Sequence, residues 1–465
     1  MPVDAQELAA WDAVETAERI AKRDVSPLEV VDAAIARAEA AKHLNAVVTP
    51  SYEKARRATE VLLDAPLSGV PTFTKDLVQV AGLRTAWGTA SSGEFISKKN
   101  DPSVKRLEST GLVSLGKSAT PEFGLTGTTE PVAFGPTHNP WALGHTPGGS
   151  SGGAAALVAA GVVPIAHASD GGGSIRIPAA CCGLVGLKAT RGRFDMEGSN
   201  LLPVNVAVHG CVSRTVRDTV AFWQALELGV PSKKYPPVGS AAKRPAQRVK
   251  VAMFTASPVK LEVDPEVKGA VEKTAKLLRE LGHEVHEIDC PVPEDISVGF
   301  VSLWSYLAWL QPNGGLFIKG SNFDKTKLDP LTQAFAKRFT SRVWATFGEL
   351  RRLRTWTQRF EQAFQTTRAD VWLCPTLGTL PPKHGHLSTT VPVEEALNRL
   401  YAYCPFTGFY NTSGAPALSL PLFQSASGLP IGVQLGTTRG RDALLLELGA
   451  ELEAAKPWPL SAPAR

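Results

Sequence analysis

A serine at the end of a glycine run can have backbone amides turned toward it. A lysine that ends an apolar strand can be stripped of water and lose its proton. This chain offers both arrangements. Two glycine clusters carry serines, Gly148-Gly149-Ser150-Ser151-Gly152-Gly153 and Asp170-Gly171-Gly172-Gly173-Ser174. An Ala- and Val-rich segment separates them, so each cluster ends a buried element, which a flexible linker does not do. Glycine allows φ > 0 and a close approach of backbone to a ligand. Successive amides in such a turn form a nest for an anion, and a serine beside that nest is placed where an oxyanion is stabilised. The plainer alternative is a glycine-rich turn used only for tight packing. Lys75 follows Gly69-Val70-Pro71-Thr72-Phe73-Thr74 and precedes Asp76. Taken alone it reads as a surface lysine. Behind an apolar strand, desolvation would lower its pKa toward that of a neutral base.

Other motifs carry less. Gly111 to Ser118, GLVSLGKS, matches the phosphate-binding pattern GxxxxGK[ST]. Here Leu112, Val113 and Leu115 read as the strand itself, and Pro121 prevents a helix from continuing after Lys117, so the match is rejected. His384-Gly385-His386 lies in a Pro/Gly-rich loop with no carboxylate or cysteine spacing in support, so no metal is expected. His167 sits in an apolar strand and reads as a satisfied core residue. Trp304, Tyr306 and Trp309 form an aromatic cluster, read first as core packing and second as a pocket wall. The Asn411-Thr412-Ser413 sequon has no meaning without a secretory signal.

The elements that must position these residues follow from periodicity and caps. Ser26-Pro27-Leu28-Glu29 starts a helix over about 27–42. A short strand is expected over 45–48, an amphipathic helix over 52–63, and a core helix followed by a strand between Gly148 and Ser169. A helix over 215–228 and a β-α-β pattern over 249–288 come next. A long charged helix is expected over 342–367 and a buried strand over 371–374. Strands over 417–420 and 431–435 and a closing helix over 441–454 complete the chain.

Composition bounds the class. The chain has 465 residues, 43% hydrophobic and 20% charged, with a net charge of +5, ordinary for a globular protein and weak as an argument for nucleic acid. The basic stretch from Ser232 to Lys250 is rich in proline and glycine and reads as a solvated loop. The six cysteines show neither CxxC nor zinc spacing and read as reduced, buried thiols. The N-terminal residues carry acids where a signal peptide needs a basic and then an apolar run, and Gly161 and Pro164 argue against a membrane span. The expectation is a cytoplasmic protein without membrane or nucleic-acid partners.

Together these residues resemble the amidase signature family, serine hydrolases with a Ser-Ser-Lys triad. The resemblance rests on Lys75-Asp76, Leu115-Gly116-Lys117, GPTHNPW at Gly135–Trp141, GGSSGG at Gly148–Gly153 and DGGGSIRIPA at Asp170–Ala179. It continues through Cys182-Gly183, Asn411, GAPALS at Gly414–Ser419 and GLPIGVQ at Gly428–Gln434, in family order over about 15–455. The serine pair lies 24 positions apart, from Ser150 to Ser174. Thr128-Thr129-Glu130-Pro131, the NPW segment and IPAACCG are most similar to the 6-aminohexanoate cyclic dimer hydrolase type and related broad amidases.

The resemblance implies an α/β fold in one large domain over 1–465, a mixed central sheet covered by helices on both faces. Its parts would be a helical start (about 1–65), a catalytic core (about 66–230), a variable pocket part (about 250–400) and a core return (about 401–455). It implies Ser174 as nucleophile, Ser150 as bridging serine after a cis peptide from Gly149, and Lys75 as base. The amides of Gly171, Gly172, Gly173 and Ser174 would form the oxyanion hole, with Ser151 and Asp170 in support. Thr128, Gly149, Trp304 and Trp309 are assigned to substrate binding, with substrate choice in the segment from Val298 to Thr346. No cofactor and no metal are implied. The partner is a small aliphatic, aryl or cyclic oligo-amide, with a homodimer left open. The scheme is chemically coherent: a serine needs a base, and a hydroxyl that donates and accepts suits a relay. Two alternatives are the catalytic subunit of a tRNA-dependent glutamine amidotransferase, against which Ile177 speaks where such subunits read SIRQPA, and a non-catalytic binding protein on the same scaffold.

Overall fold

A computed structural model describes residues 5–194, 204–229, 231–239, 244–313 and 323–463. The strands form two sheets. The smaller has three strands in the order β1-β3-β2, with β1 Val47–Pro50, β2 Pro71–Lys75 and β3 Val113–Ser118. β3 pairs antiparallel to β1 and parallel to β2. The larger comprises β4 Ile165–Asp170, β5 Val185–Lys188, β6 Val208–Ser213, β7 Lys250–Met253, β8 Glu284–Glu287, β9 Val371–Pro375, β10 Ala417–Gln424 and β11 Pro430–Gly436. Its order is β4-β6-β5-β10-β11-β9-β7-β8, parallel across β9-β7-β8 and antiparallel elsewhere.

Side-chain alternation on β10 explains why helices cover both faces. Leu418 and Leu420 point to Gly449 on the helix Asp442–Ala455. On the other face, Ser419 lies beside Gly432, which packs on Ala180 of the helix Arg176–Cys182. Period-2 alternation with both faces buried produces this layering. The fold class is thus the one expected, with the three-stranded sheet as an addition that the sequence did not disclose.

Two expected helices overran. The segment 52–63 is helical only as Tyr52–Ala58, and 342–367 divides into Val343–Arg354 and Trp356–Thr366. Each break falls on a threonine whose hydroxyl donates back to a carbonyl three residues earlier, Thr59 to Arg56 at 2.7 Å and Thr355 to Arg352 at 2.7 Å. Such back-bonding competes with the helical ladder. The basic stretch 232–250 falls partly outside the described residues, as does the segment 298–346.

Candidate active site

The edges of the two sheets meet at β2 and β4, and the chemistry lies on that seam. Lys75 ends β2 with its side chain fully buried. Its Nζ stands 2.8 Å from Ser150 Oγ, 3.1 Å from Ser169 Oγ and 3.4 Å from the Ser169 carbonyl. Burial pulls the Lys75 pKa down from 10.5 to about 7, against the opposing pull of Asp170. An amine with a hydroxyl at hydrogen-bond distance is a base already in place.

The loop before the helix Gly152–Ala159 delivers Ser150 to that amine. The Gly149–Ser150 peptide is cis. Gly149 lies on the Thr128 backbone, where a Cβ would stand 2.3 Å from the Thr128 carbonyl oxygen. Ser151 ties the loop to β4, donating to the Ser169 carbonyl and accepting from the Ser169 N–H, each at 3.3 Å.

Ser174 leaves β4 through the glycine turn. Asp170, the last residue of β4, holds that turn from within. Its Oδ1 accepts the Gly173 N–H at 2.7 Å and its Oδ2 the Ile175 N–H at 3.2 Å. Arg176 pairs with it at 3.0 and 3.1 Å and reaches on to Gln434 Oε1 at 2.8 Å and Asn411 Oδ1 at 2.6 Å. Burial raises the Asp170 pKa, but the charge and hydrogen bonds of Arg176 outweigh it and leave the carboxyl at about 2. Gly173 has φ +132°, and a Cβ there would stand 2.5 Å from Thr407 Oγ1, so no other residue fits. The hydroxyl of Thr407 donates to the Gly172 carbonyl at 2.6 Å. One expectation changes: the Gly173 N–H belongs to Asp170, which leaves the amides of Gly171, Gly172 and Ser174 as candidate oxyanion donors.

Ser174 and Gly172 form part of the wall of an apolar pocket that opens to solvent, with about 860 Å³ of empty space counted to its mouth. The loop Gly124–Gly127, the helix Asp295–Leu310 and the helix Val393–Tyr403 supply most of the rest. Phe300 and Trp304 stack at 4.4 Å over the glycine turn, and a Cβ on Gly172 would lie 2.5 Å from Phe300 Cζ. Trp304 is fixed by its Nε1 donating to the Leu125 carbonyl at 2.9 Å. Of the residues assigned to substrate, Trp304 lies on the pocket wall. Trp309 packs instead on Tyr306 and Phe339, and Thr128 is buried behind Gly149. No charged side chain lines the pocket among the described residues.

The remaining motifs resolve. Lys117 of the rejected phosphate loop lies on β3 and forms a buried ion pair with Asp76 at 2.7 Å. His384 faces His138 at 3.3 Å, and the fold brings Glu130 to 3.7 Å from its Nδ1, a carboxylate that the sequence did not place there. Among the described residues no group of three or more His, Cys, Asp or Glu could hold a metal ion, and no helix is long and apolar enough to cross a membrane. Cys181, Cys182, Cys211 and Cys374 are buried, whereas Cys290 and Cys404 are partly exposed; none forms a disulfide. Sequence reasoning gave no role to Ser169, Arg176, Asn411, Thr407 or Phe300. Arg176 carried a signal nonetheless, since an arginine within the apolar IRIPAA run requires a buried partner.

A profile of the Amidase family matches residues 29–446. The chain belongs to the amidase family. It is 44% identical over 456 residues to AmiC of Mycobacterium tuberculosis (strain ATCC 25618 / H37Rv), a protein named as an amidase, with 97% of this chain and 96% of the relative covered. It is 34% identical over 480 residues to the 6-aminohexanoate-cyclic-dimer hydrolase of Paenarthrobacter ureafaciens, covering 96% and 95%. Among solved structures, a 6-aminohexanoate cyclic dimer hydrolase complexed with substrate superposes with a TM-score of 0.87 at 31% identity, covering 97% and 98%. A bacterial aryl acylamidase superposes with a TM-score of 0.85 at 26% identity, covering 96% of each chain. This amidase is therefore a hydrolase acting on amide bonds.

Proposed function

We propose that the amidase works through an acyl-enzyme on Ser174, with Ser150 as relay and Lys75 as base. What carries the reading is the 2.8 Å contact between a fully buried, readily neutral Lys75 and Ser150. Ser174 Oγ attacks the amide carbonyl carbon. Its proton passes to Ser150 as the proton of Ser150 passes to Lys75 Nζ. The carbonyl oxygen becomes an oxyanion facing the amides of Gly171, Gly172 and Ser174, and one such donor is worth roughly 3–4 kcal/mol. The proton returns through Ser150 to the leaving nitrogen as the C–N bond breaks. Water then attacks the ester, giving a carboxylate and restoring Ser174.

The pocket favours an uncharged, apolar acyl group, aliphatic or aryl, because its walls provide aromatic and aliphatic area without a countercharge. The ammonium and carboxylate of glutamine would be desolvated there without partners, which speaks against an amidotransferase subunit.

The test is intact-protein mass spectrometry after exposure to a fluorophosphonate, with peptide mapping, on native and Ser174→Ala protein. The proposal expects one label, on Ser174, absent from the variant. Label on another residue, or none, would refute it.

A further inference from the structure

The seam between the two sheets has one feature that the hydrolytic scheme does not use. β2 and β4 are edge strands of different sheets, so the outward backbone groups of β2 have no ladder to join. On its inner side β2 pairs with β3, and the Asp76 N–H donates to the Ser118 carbonyl at 3.1 Å. Alternation then turns the Lys75 N–H outward, toward β4. No backbone carbonyl receives it there. His167 of β4 does, with Nδ1 at 3.2 Å. An imidazole nitrogen that accepts carries no proton, so the His167 proton is on Nε2. That nitrogen stands 2.9 Å from Nδ1 of His209 on β6, which must accept and so carries its own proton on Nε2. The two rings lie edge to edge, their centroids 5.2 Å apart and their planes 12° from parallel, and both are buried. Burial keeps both neutral, His167 well below its usual range and His209 at about 3. The chain of acceptors permits a single tautomer throughout.

We propose that His167 and His209 are positioning residues for the general base: His209 fixes the His167 tautomer, and His167 anchors the Lys75 backbone to β4, aiming Nζ at Ser150. This rests on the Ser174–Ser150–Lys75 reading above. His209 acts at one remove. Without its Nδ1, the His167 proton is free to move to Nδ1, where it would face the Lys75 N–H donor to donor. Apart from the contacts that the Lys75 amine itself makes with Ser169, the seam is tied by Thr72 Oγ1 donating to the Ile165 carbonyl at 3.0 Å, at the far end of β2, so His167 is what holds the backbone of Lys75. His167 also borders a second cavity, which Thr72, Thr74, Ser114 and Lys54 help to line. A small molecule can thus reach the place that a truncated His167 leaves empty.

The experiment measures the rate of Ser174 labelling by a fluorophosphonate against pH for native protein and for His167→Leu, His167→Asn, His209→Leu and His209→Asn. Asparagine places its Oδ1 where histidine has Nδ1, so it keeps the acceptor at either position. The charged and titratable groups near the lysine are Asp76 beside it with its partner Lys117, Asp170, His167 and His209, and only the histidines change. Each leucine variant is expected to label at least tenfold more slowly with a displaced pH midpoint, and each asparagine variant within about threefold of native with the midpoint kept. For His167→Gly, added imidazole should restore labelling and added toluene should not. A purely structural role would lower the melting temperature of leucine and asparagine variants alike. Leucine variants that label at the native rate and midpoint, or asparagine variants that fare no better than leucine, overturn the proposal. If a leucine variant fails to fold, native against asparagine and the imidazole rescue decide it by the same criteria. Failure of native protein to label at Ser174 would refute the triad reading instead.

Discussion

A methionine at position 75 would fill nearly the same buried volume without the amine. The proposed base would be gone, and general-base catalysis is worth about 10²–10⁴-fold, so Lys75→Met should lose amide turnover by that factor. In the native enzyme the base is the neutral form. The rate should therefore rise with pH through about 7 and level off above it. Stability runs with the same sign. The unfolded lysine keeps its ordinary pKa of 10.5 while the folded one lies at about 7, so across that interval the unfolded state binds the extra proton. The residue's destabilising effect is full below 7 and fades as pH rises to 10.5. Lys75→Met is expected to melt at a higher temperature than native at neutral pH while being inactive. Initial rates against pH and thermal melts of both proteins check this; a flat native profile around pH 7, or a variant with native turnover, removes Lys75 from the chemistry. The serines were legible because glycine clusters mark unusual backbone. Ser169, which contacts both Lys75 and Ser151, was not, since its role exists only where two sheet edges meet.

At the scale of elements, β2 and β3 are tied by the buried Lys117–Asp76 pair, with Lys117 also donating to the Val78 carbonyl at 2.7 Å and Thr85 Oγ1 at 2.9 Å. This is the lysine that made Gly111 to Ser118 mimic a phosphate loop. Motif letters alone did not decide the matter; Leu112, Val113 and Leu115 did, because they made the segment a strand, and Pro121 barred the helix that a phosphate loop opens. Lys117→Met should leave the Asp76 carboxylate buried and uncompensated, at a cost of about 3–5 kcal/mol in urea unfolding. Asp76→Asn combined with Lys117→Met should recover a large share of that loss, a coupling that a double-mutant cycle reads directly. Additive losses would mean that the pair does not act as one unit. The helices that sequence reading did not delimit tell a complementary story. The helix Asp295–Leu310 buries Ile296, Val301 and Leu303 and turns Phe300 and Trp304 to the pocket. With apolar residues around most of its circumference, it offers no amphipathic stripe to detect.

Across the whole molecule, order in the chain is a poor guide to order in space. The hairpin β10–β11 comes last in sequence yet sits in the middle of the large sheet, between the blocks β4-β6-β5 and β9-β7-β8. Individual strands were legible from local pattern, whereas these pairings were not, because no local pattern reaches across the separation: β10 joins β5 from Ala417 to Lys188, and β11 joins β9 from Val433 to Pro375. Arg176 makes that dependence concrete, binding Asp170 at the end of β4, Asn411 on the helix Gly408–Ser413 and Gln434 on β11. It also holds the Asp170 pKa at about 2 against an ordinary 3.8. A carboxyl depressed in this way contributes stability above its unfolded pKa and loses it as pH falls through the folded one. From those two values the contribution is about 2 kcal/mol, present above 3.8 and absent below about 2. Replacing Arg176 with methionine removes it and strands a buried charge, so at pH 8 the variant should unfold at a distinctly lower urea concentration than native protein, the gap narrowing in acid as Asp170 takes a proton. Because the one side chain ties the β4 block to the central hairpin, far-UV circular dichroism and Ser174 labelling should fail at the same urea concentration in the variant at pH 8, where Lys75 is neutral. If labelling disappears while the dichroism persists to the native urea midpoint, Arg176 supports the glycine turn alone, and the sheet stands without it.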